Sequence, residues 1–202
     1  MKIYDKIEQG SDEWFDIRKQ KLTASNATAI GNNGKGLETY VYNLMAEYYS
    51  SAEKEQYTNE DMERGNELEK LARGIYEFKN NVKIDEVGFI ELDEYVGCSP
   101  DGLIEKDGGI EIKCLKDTVY FKALIEGIDV SKYMWQIQMC LYITGRKYWV
   151  LLIYNPNFKQ GILTKTIYPK NEYIKKLKIG LETGKKKIKL IKSKIKKYEK
   201  SK

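Results

Sequence analysis

Asp101 closes the turn sequence Ser99-Pro100-Asp101, and ten residues later Glu111 and Lys113 flank Ile112 in the run Ile110-Glu111-Ile112-Lys113. Strand side chains alternate faces, so Glu111 and Lys113 point one way while Ile110 and Ile112 point into a core. A strand pairing with the segment that ends at Asp101 sets that aspartate beside Glu111. Two hard oxygen donors with a flanking cation suit a divalent-metal site for phosphodiester cleavage, the metal activating water and screening the phosphate. The same residues also read as an ordinary β-turn followed by an edge strand with one solvated face. Other segments have to decide between the two.

The chain contains no histidine. That excludes His-based triads, imidazole bases and His-ligated zinc, and leaves carboxylates, lysine, tyrosine, cysteine or hard metal ions to carry any chemistry. At 202 residues, 42% of them hydrophobic, one soluble domain with a substantial core is expected. Cys98, Cys114 and Cys140 are too dispersed for a disulfide framework, a zinc spacing or a four-cysteine cluster. The longest apolar run, Tyr148 to Tyr154, is too short to cross a bilayer, and the first residues carry acid and base with no apolar leader. A cytoplasmic setting, bacterial or in a virus-infected cell, and no membrane partner are expected.

Charge is unevenly distributed. Residues 1–169 hold 21 Lys and Arg against 27 Asp and Glu, and residues 170–202 hold 14 lysines against three glutamates. An acidic body and a basic tail point to polyanion contact at one end. Ile174, Leu177, Leu181, Ile188, Ile191, Ile195 and Tyr198 make an apolar stripe along that tail, with Gly184 in one slot. The tail therefore reads as one long helix, either docked with its lysines solvated or with those lysines tracking phosphates.

The remaining elements must position the acids. Ser11 suits an N-cap for a helix beginning at Asp12, with Trp14, Ile17 and Arg18 on one face. Leu37–Tyr49 and Asn59–Phe78 read as helices, with a polar loop over Ser50–Tyr57. Val82–Leu92, Tyr95–Cys98, Leu103-Ile104 and Gly109–Leu115 read as strands, the last two joined as a hairpin by Asp107-Gly108-Gly109. Helices over Asp117–Glu126 and Lys132–Ile143 and strands over Tyr148–Tyr154 and Ile162–Ile167 follow. The order predicts an α/β fold, a mixed β-sheet flanked by helices, with a long basic C-terminal helix. Residues 1–169 form the expected nuclease domain, and residues 170–202 the amphipathic helix packed on it.

Four segments carry a resemblance. Glu8-Gln9-Gly10-Ser11-Asp12-Glu13-Trp14-Phe15-Asp16-Ile17-Arg18 with Leu22-Thr23-Ala24-Ser25 resembles the N-terminal signature of lambda-type phage recombination exonucleases. Gly65 to Phe78 is similar to that family's helix bearing an additional active-site glutamate. Cys98-Ser99-Pro100-Asp101-Gly102-Leu103 and Gly109-Ile110-Glu111-Ile112-Lys113-Cys114 resemble its PD-(D/E)xK core, and Tyr133 to Gln138 its glutamine-bearing helix.

The resemblance implies a restriction-endonuclease-like fold and a Mg2+-dependent 5′→3′ exonuclease acting on linear double-stranded DNA ends. It implies Asp101, Glu111 and the Ile112 backbone carbonyl as metal contacts, with Glu69 completing the acidic set around two Mg2+ ions, for which Mn2+ is an alternative. Lys113 orients or deprotonates the attacking water, and Gln136 holds the nucleophile or the scissile phosphate. The same resemblance implies that Arg18, Ser25 and Ser99 bind the 5′-terminal phosphate. A homotrimeric ring and a single-strand annealing protein as partner follow from the same resemblance. Local alternatives stay open: Glu69 pairing with Arg73, Arg18 with Glu13 or Glu8, Ser25 capping the helix after it, and Gln136 satisfied by backbone. At the level of function the alternatives are an endonuclease on the same fold and a non-catalytic DNA-binding protein.

Overall fold

The strand over Gly108–Cys114 lies between two others, paired along its whole length on one edge and over Gly108–Ile110 on the other. The structure, a computed structural model, describes residues 1–51 and 60–201, with backbone alone at 60–63. The Ser50–Tyr57 loop lies largely outside the described residues. In chain order the elements are β1 (Lys2–Tyr4), α1 (Asp12–Arg18), β2 (Leu22–Thr23), a 3-10 turn over Ala24–Asn26, α2 (Ala27–Asn32), α3 (Lys35–Tyr49) and α4 (Glu60–Asn80). β3 (Ile84–Asp85), β4 (Phe89–Asp93), β5 (Val96–Cys98), β6 (Gly102–Ile104) and β7 (Gly108–Cys114) come next. α5 (Asp117–Glu126), α6 (Ser131–Thr144), β8 (Tyr148–Tyr154), β9 (Ile162–Ile167) and α7 (Asn171–Lys200) complete the fold.

The strands form two sheets rather than one. A five-stranded sheet runs β3-β6-β7-β8-β9, and a four-stranded sheet runs β1-β4-β5-β2. The β6–β7 hairpin is antiparallel, with Gly102 opposite Ile110 and Ile104 opposite Gly108. β7 and β8 are parallel over their full length, and helices α5 and α6 make the crossover between them. The expected strand over Val82–Leu92 is therefore corrected: it divides into β3 and β4, which belong to different sheets. Gly88 sits at the division, where any Cβ would stand 2.0 Å from the Ile7 carbonyl oxygen, so only glycine admits the N-terminal segment there. β1 and β2, each three residues or fewer, carry too little alternation to read from sequence.

The core has two parts. Ile110, Ile112, Val150, Leu152 and Ile104 pack against Ala72 of α4 on one face of the large sheet. The larger cluster joins Trp149, Leu151 and Ile153 to α6, α2 and α7. Leu177, Leu181 and Ile188 are almost fully buried, so α7 docks through the apolar stripe. Gly180 lets it approach α2: a Cβ there would lie 1.8 Å from the Ile30 carbonyl oxygen.

Candidate active site

The hairpin register explains how the acids meet. Asp101 immediately precedes Gly102, whose partner is Ile110, so its carboxylate arrives alongside the outgoing half of β7. Asp101 Oδ2 accepts a 2.6 Å hydrogen bond from the Ile112 backbone N–H. A strand residue presents its N–H and C=O to the same neighbour, so the Ile112 carbonyl also faces the Asp101 side. Past the short β6 no strand competes for it.

Glu111 is fully buried because α6 covers its face of the sheet. The reading of Ile110–Lys113 as an edge strand with one solvated face does not hold, since β7 lies between β6 and β8 and Glu111 and Ile112 are buried on its two faces. Glu111 Oε1 accepts hydrogen bonds from Gln136 Nε2 at 2.6 Å and Lys113 Nζ at 2.5 Å. Its Oε2 is buried with no partner. Gln136 is thus bound to the Glu111 side chain rather than to backbone.

Burial, and then Asp101, push the Glu111 carboxyl up to about 7 against the opposing pull of Lys113. Burial raises Asp101 as well, with Lys113 and the Ile112 N–H opposing. For Lys113 burial disfavours the charge, but Glu111 and Asp101 outweigh it and hold the ammonium above its ordinary range.

Glu69 projects from α4 toward the same cleft. Its Oε1 accepts from Arg73 Nη2 at 2.8 Å, one helical turn on, so the expected local pair does form. Burial and the Asp101 charge still raise Glu69 to about 7. Among the described residues no three His, Cys, Asp or Glu side chains stand close enough to cage a cation by themselves. Arg73 itself is buried and also reaches Glu86 at 2.5 Å. A cleft of about 580 Å³ opens here, lined by Glu69, Arg73, Asp101, Lys70, Asn66 and Gln9 among others. Gln9 Nε2 closes one wall by donating to the carbonyls of Val87 and Pro100 at 3.0 and 2.9 Å.

A divalent cation fits this donor set. Buried carboxylates raised by desolvation and mutual repulsion, an orphaned buried Glu111 oxygen and an all-oxygen arrangement are what a hard ion satisfies.

The expected phosphate-binding residues are brought together in part. Ser11 Oγ accepts from the Trp14 N–H at 3.2 Å and so caps α1. That helix delivers Arg18, whose Nη1 donates to Ser99 Oγ at 2.9 Å, two residues before Asp101. Trp14 Nε1 donates to the same hydroxyl at 2.9 Å, and the Arg18 guanidinium lies 4.0 Å from the Trp14 ring centroid. Neither Glu13 nor Glu8 pairs with Arg18 among the described contacts. Ser25 follows β2, which runs parallel to β5, the strand leading to Ser99. Its hydroxyl bonds Thr23 Oγ1 at 3.0 Å; it reaches neither Arg18 nor Ser99 and caps no helix.

Three contributors were not singled out as site residues from sequence: Arg73, Trp14 as the platform for Arg18, and Gln9. Gln9 and Trp14 both lie in the N-terminal signature segment, which was the available signal.

Residues 13–147 match the YqaJ-like viral recombinase domain. The crystal structure of an alkaline exonuclease from Laribacter hongkongensis aligns with a TM-score of 0.78 at 26% identity, covering 93% of this chain and 100% of that one. The complex of that exonuclease with dAMP gives a TM-score of 0.79 at the same identity and coverage. A phage-related exonuclease from Haemophilus somnus 129PT shares the fold, with a TM-score of 0.62 at 17% identity over 89% of this chain and 98% of the other. A 109-residue stretch, 52% of this chain, is 25% identical to uncharacterized protein R354 of Acanthamoeba polyphaga mimivirus. It spans only 19% of that relative's length. No helix among the described residues is long and apolar enough to cross a membrane.

Proposed function

The chain belongs to the YqaJ-like viral recombinase domain family, and from that premise we propose that it is a Mg2+-dependent 5′→3′ exonuclease. It degrades one strand of linear duplex DNA from 5′-phosphorylated ends and leaves 3′ overhangs for recombination by strand annealing. The likeness to the alkaline exonuclease across its full length supports a phage-type exonuclease. The observation that carries the finer reading is the convergence of Asp101, Glu111 and Lys113, with Oε1 of Glu111 occupied and Oε2 unpartnered.

Asp101, Glu111 and the Ile112 carbonyl would hold a divalent ion, and Glu69 would complete the acidic set for a second. Bound Mg2+ supplies charge to a phosphate oxygen and lowers the pKa of its water. Lys113 keeps its ammonium charged beside Glu111 and has protons left to orient the attacking water and neutralise the phosphate. Gln136 fixes Glu111 so that Oε2 alone is free to ligate. Arg18, held on the Trp14 face, offers its remaining donors with Ser99 to a terminal phosphate; Ser25, which contacts neither, would join them only through the phosphate itself. Residues 1–169 carry the chemistry, and 170–202 pack on them. A homotrimer and a single-strand annealing partner belong to the same reading.

Digestion of linear duplexes bearing 5′-phosphate or 5′-hydroxyl ends, with and without Mg2+, tests it beside Asp101→Asn. Mononucleotides released from 5′ ends, only with metal and not by the variant, are expected. Equal cutting of closed circular DNA would replace the exonuclease with an endonuclease.

A further inference from the structure

The lysines of α7 divide into two sets. Lys185 is held by Asp93 at 2.7 Å and Glu182 at 3.1 Å, and Lys187 by Glu38. These tie the helix to the body. The second set, Lys189, Lys192, Lys196, Lys197 and Lys200, recurs at three- and four-residue steps and therefore shares one helix face. With Ser193 these side chains alone line a surface groove of about 390 Å³. Lys192 reaches Glu94 only at 3.8 Å, and Lys196, Lys197 and Lys200 have no acidic partner among the described residues.

We propose that this face is a docking surface for the phosphate backbone of duplex DNA, separate from the catalytic cleft; this rests on the DNA-cleaving function proposed above. The twelve residues from Lys189 to Lys200 span about 16 Å of helix, with a lysine presented at every turn. A duplex offers one negative charge per about 1.7 Å, roughly nine over that length, and a single strand half as many. The groove is lined by lysines and one serine, with no aromatic or aliphatic residue on which a protein partner would anchor. The body repels a polyanion: residues 1–169 carry six more acids than bases. A basic stripe is what keeps such a substrate near it.

The position suits that task. Lys189 and Lys192 lie 5.6 and 5.0 Å from the Tyr95 ring centroid. Tyr95 is six residues before Asp101, so their Cα atoms lie within about 22 Å of each other, which puts the near end of the stripe within about 30 Å of the catalytic carboxylate. That is about nine base pairs. A 20-base-pair duplex is long enough to span both sites.

The experiment measures binding of a fluorescent 20-base-pair duplex in chelator, across a salt series, for the full-length protein. It compares the triple variant Lys196→Gln, Lys197→Gln, Lys200→Gln with a charge-matched control, Lys106→Gln, Lys159→Gln, Lys165→Gln, whose sites are exposed elsewhere. The tail variant should bind at least tenfold more weakly near 0.1 M salt, with a slope of log K against log salt smaller by about 2 to 3. The control should match wild type, and both should melt as wild type does. Equal loss in both variants, an unchanged slope in the tail variant, or a change of oligomeric size in place of lost affinity overturns the proposal. Failure of wild type to bind duplex at any salt overturns the DNA reading itself.

Discussion

Arg73 and Glu69 stand one turn apart on α4 and are joined at 2.8 Å, while the other guanidinium nitrogen of Arg73 takes Glu86 at 2.5 Å. A single buried cation thus serves two carboxylates, one facing the cleft and one at its rim. Its Nε is buried without a partner, so the side chain is held by these two acids.

Arg73→Ala should lower stability near pH 9 in metal-free buffer, where Glu69 is ionised and is left partly buried and uncompensated. Adding Glu69→Gln should return much of that loss. Urea denaturation of both single variants and the double variant measures the coupling. Strictly additive losses would show that the pair does not interact energetically.

The pH dependence of the metal-free protein follows from Glu69 and Glu111. Each is raised from an ordinary 4.5 to about 7 in the folded state, by burial first and Asp101 second. Between those values the folded state binds protons that the unfolded chain has released. Stability is therefore fullest below the lower value and falls as pH climbs through the upper. In chelator the thermal midpoint should drop from about pH 5 to about pH 8, opposite to the usual carboxylate trend. Mg2+ should raise the midpoint more at the higher pH, since deprotonated ligands hold the ion. Glu111→Gln should flatten the profile, as a melting series across pH would reveal.

The shared face of Glu111 and Lys113 was legible from alternation alone, whatever the sheet around them. The hairpin was equally local, set by Asp107-Gly108-Gly109. The burial of Glu111 was not, since it depends on α6 returning over β7 after a crossover, a contact no short window contains. The division of Val82–Leu92 was hidden for a similar reason: the apolar pattern continues through Gly88, and only the Ile7 backbone passing against it separates the strands. Arg73 reads in sequence as one end of a surface pair. Its burial comes from the Glu86 segment folding back beside α4, which spacing on the helix does not reveal.

Lys113→Gln should reduce the single-turnover rate by about 100- to 1000-fold, the range for losing a positioned charge at a reacting centre. Duplex binding should change little, because one ammonium among many phosphate contacts is a minor part of affinity. Rapid-quench release from a 5′-labelled duplex separates the two. A parallel fall in binding and rate would mean that Lys113 holds DNA rather than acting on the phosphate.

Arg18 tests the end-reading role most sharply. Its guanidinium is fixed by the Trp14 face and by Ser99 Oγ, so its charge is oriented before any substrate arrives. Burial lowers its pKa without removing the charge at neutral pH, because a guanidinium starts far above it. Arg18→Ala should erase most of the preference for 5′-phosphate over 5′-hydroxyl ends and leave cleavage at hydroxyl ends near wild type. Arg18→Lys should restore little, since an ammonium neither stacks on the indole nor presents a planar fork. The ratio of initial rates on the two ends measures this directly, and an unchanged ratio in Arg18→Ala would remove Arg18 from the phosphate pocket.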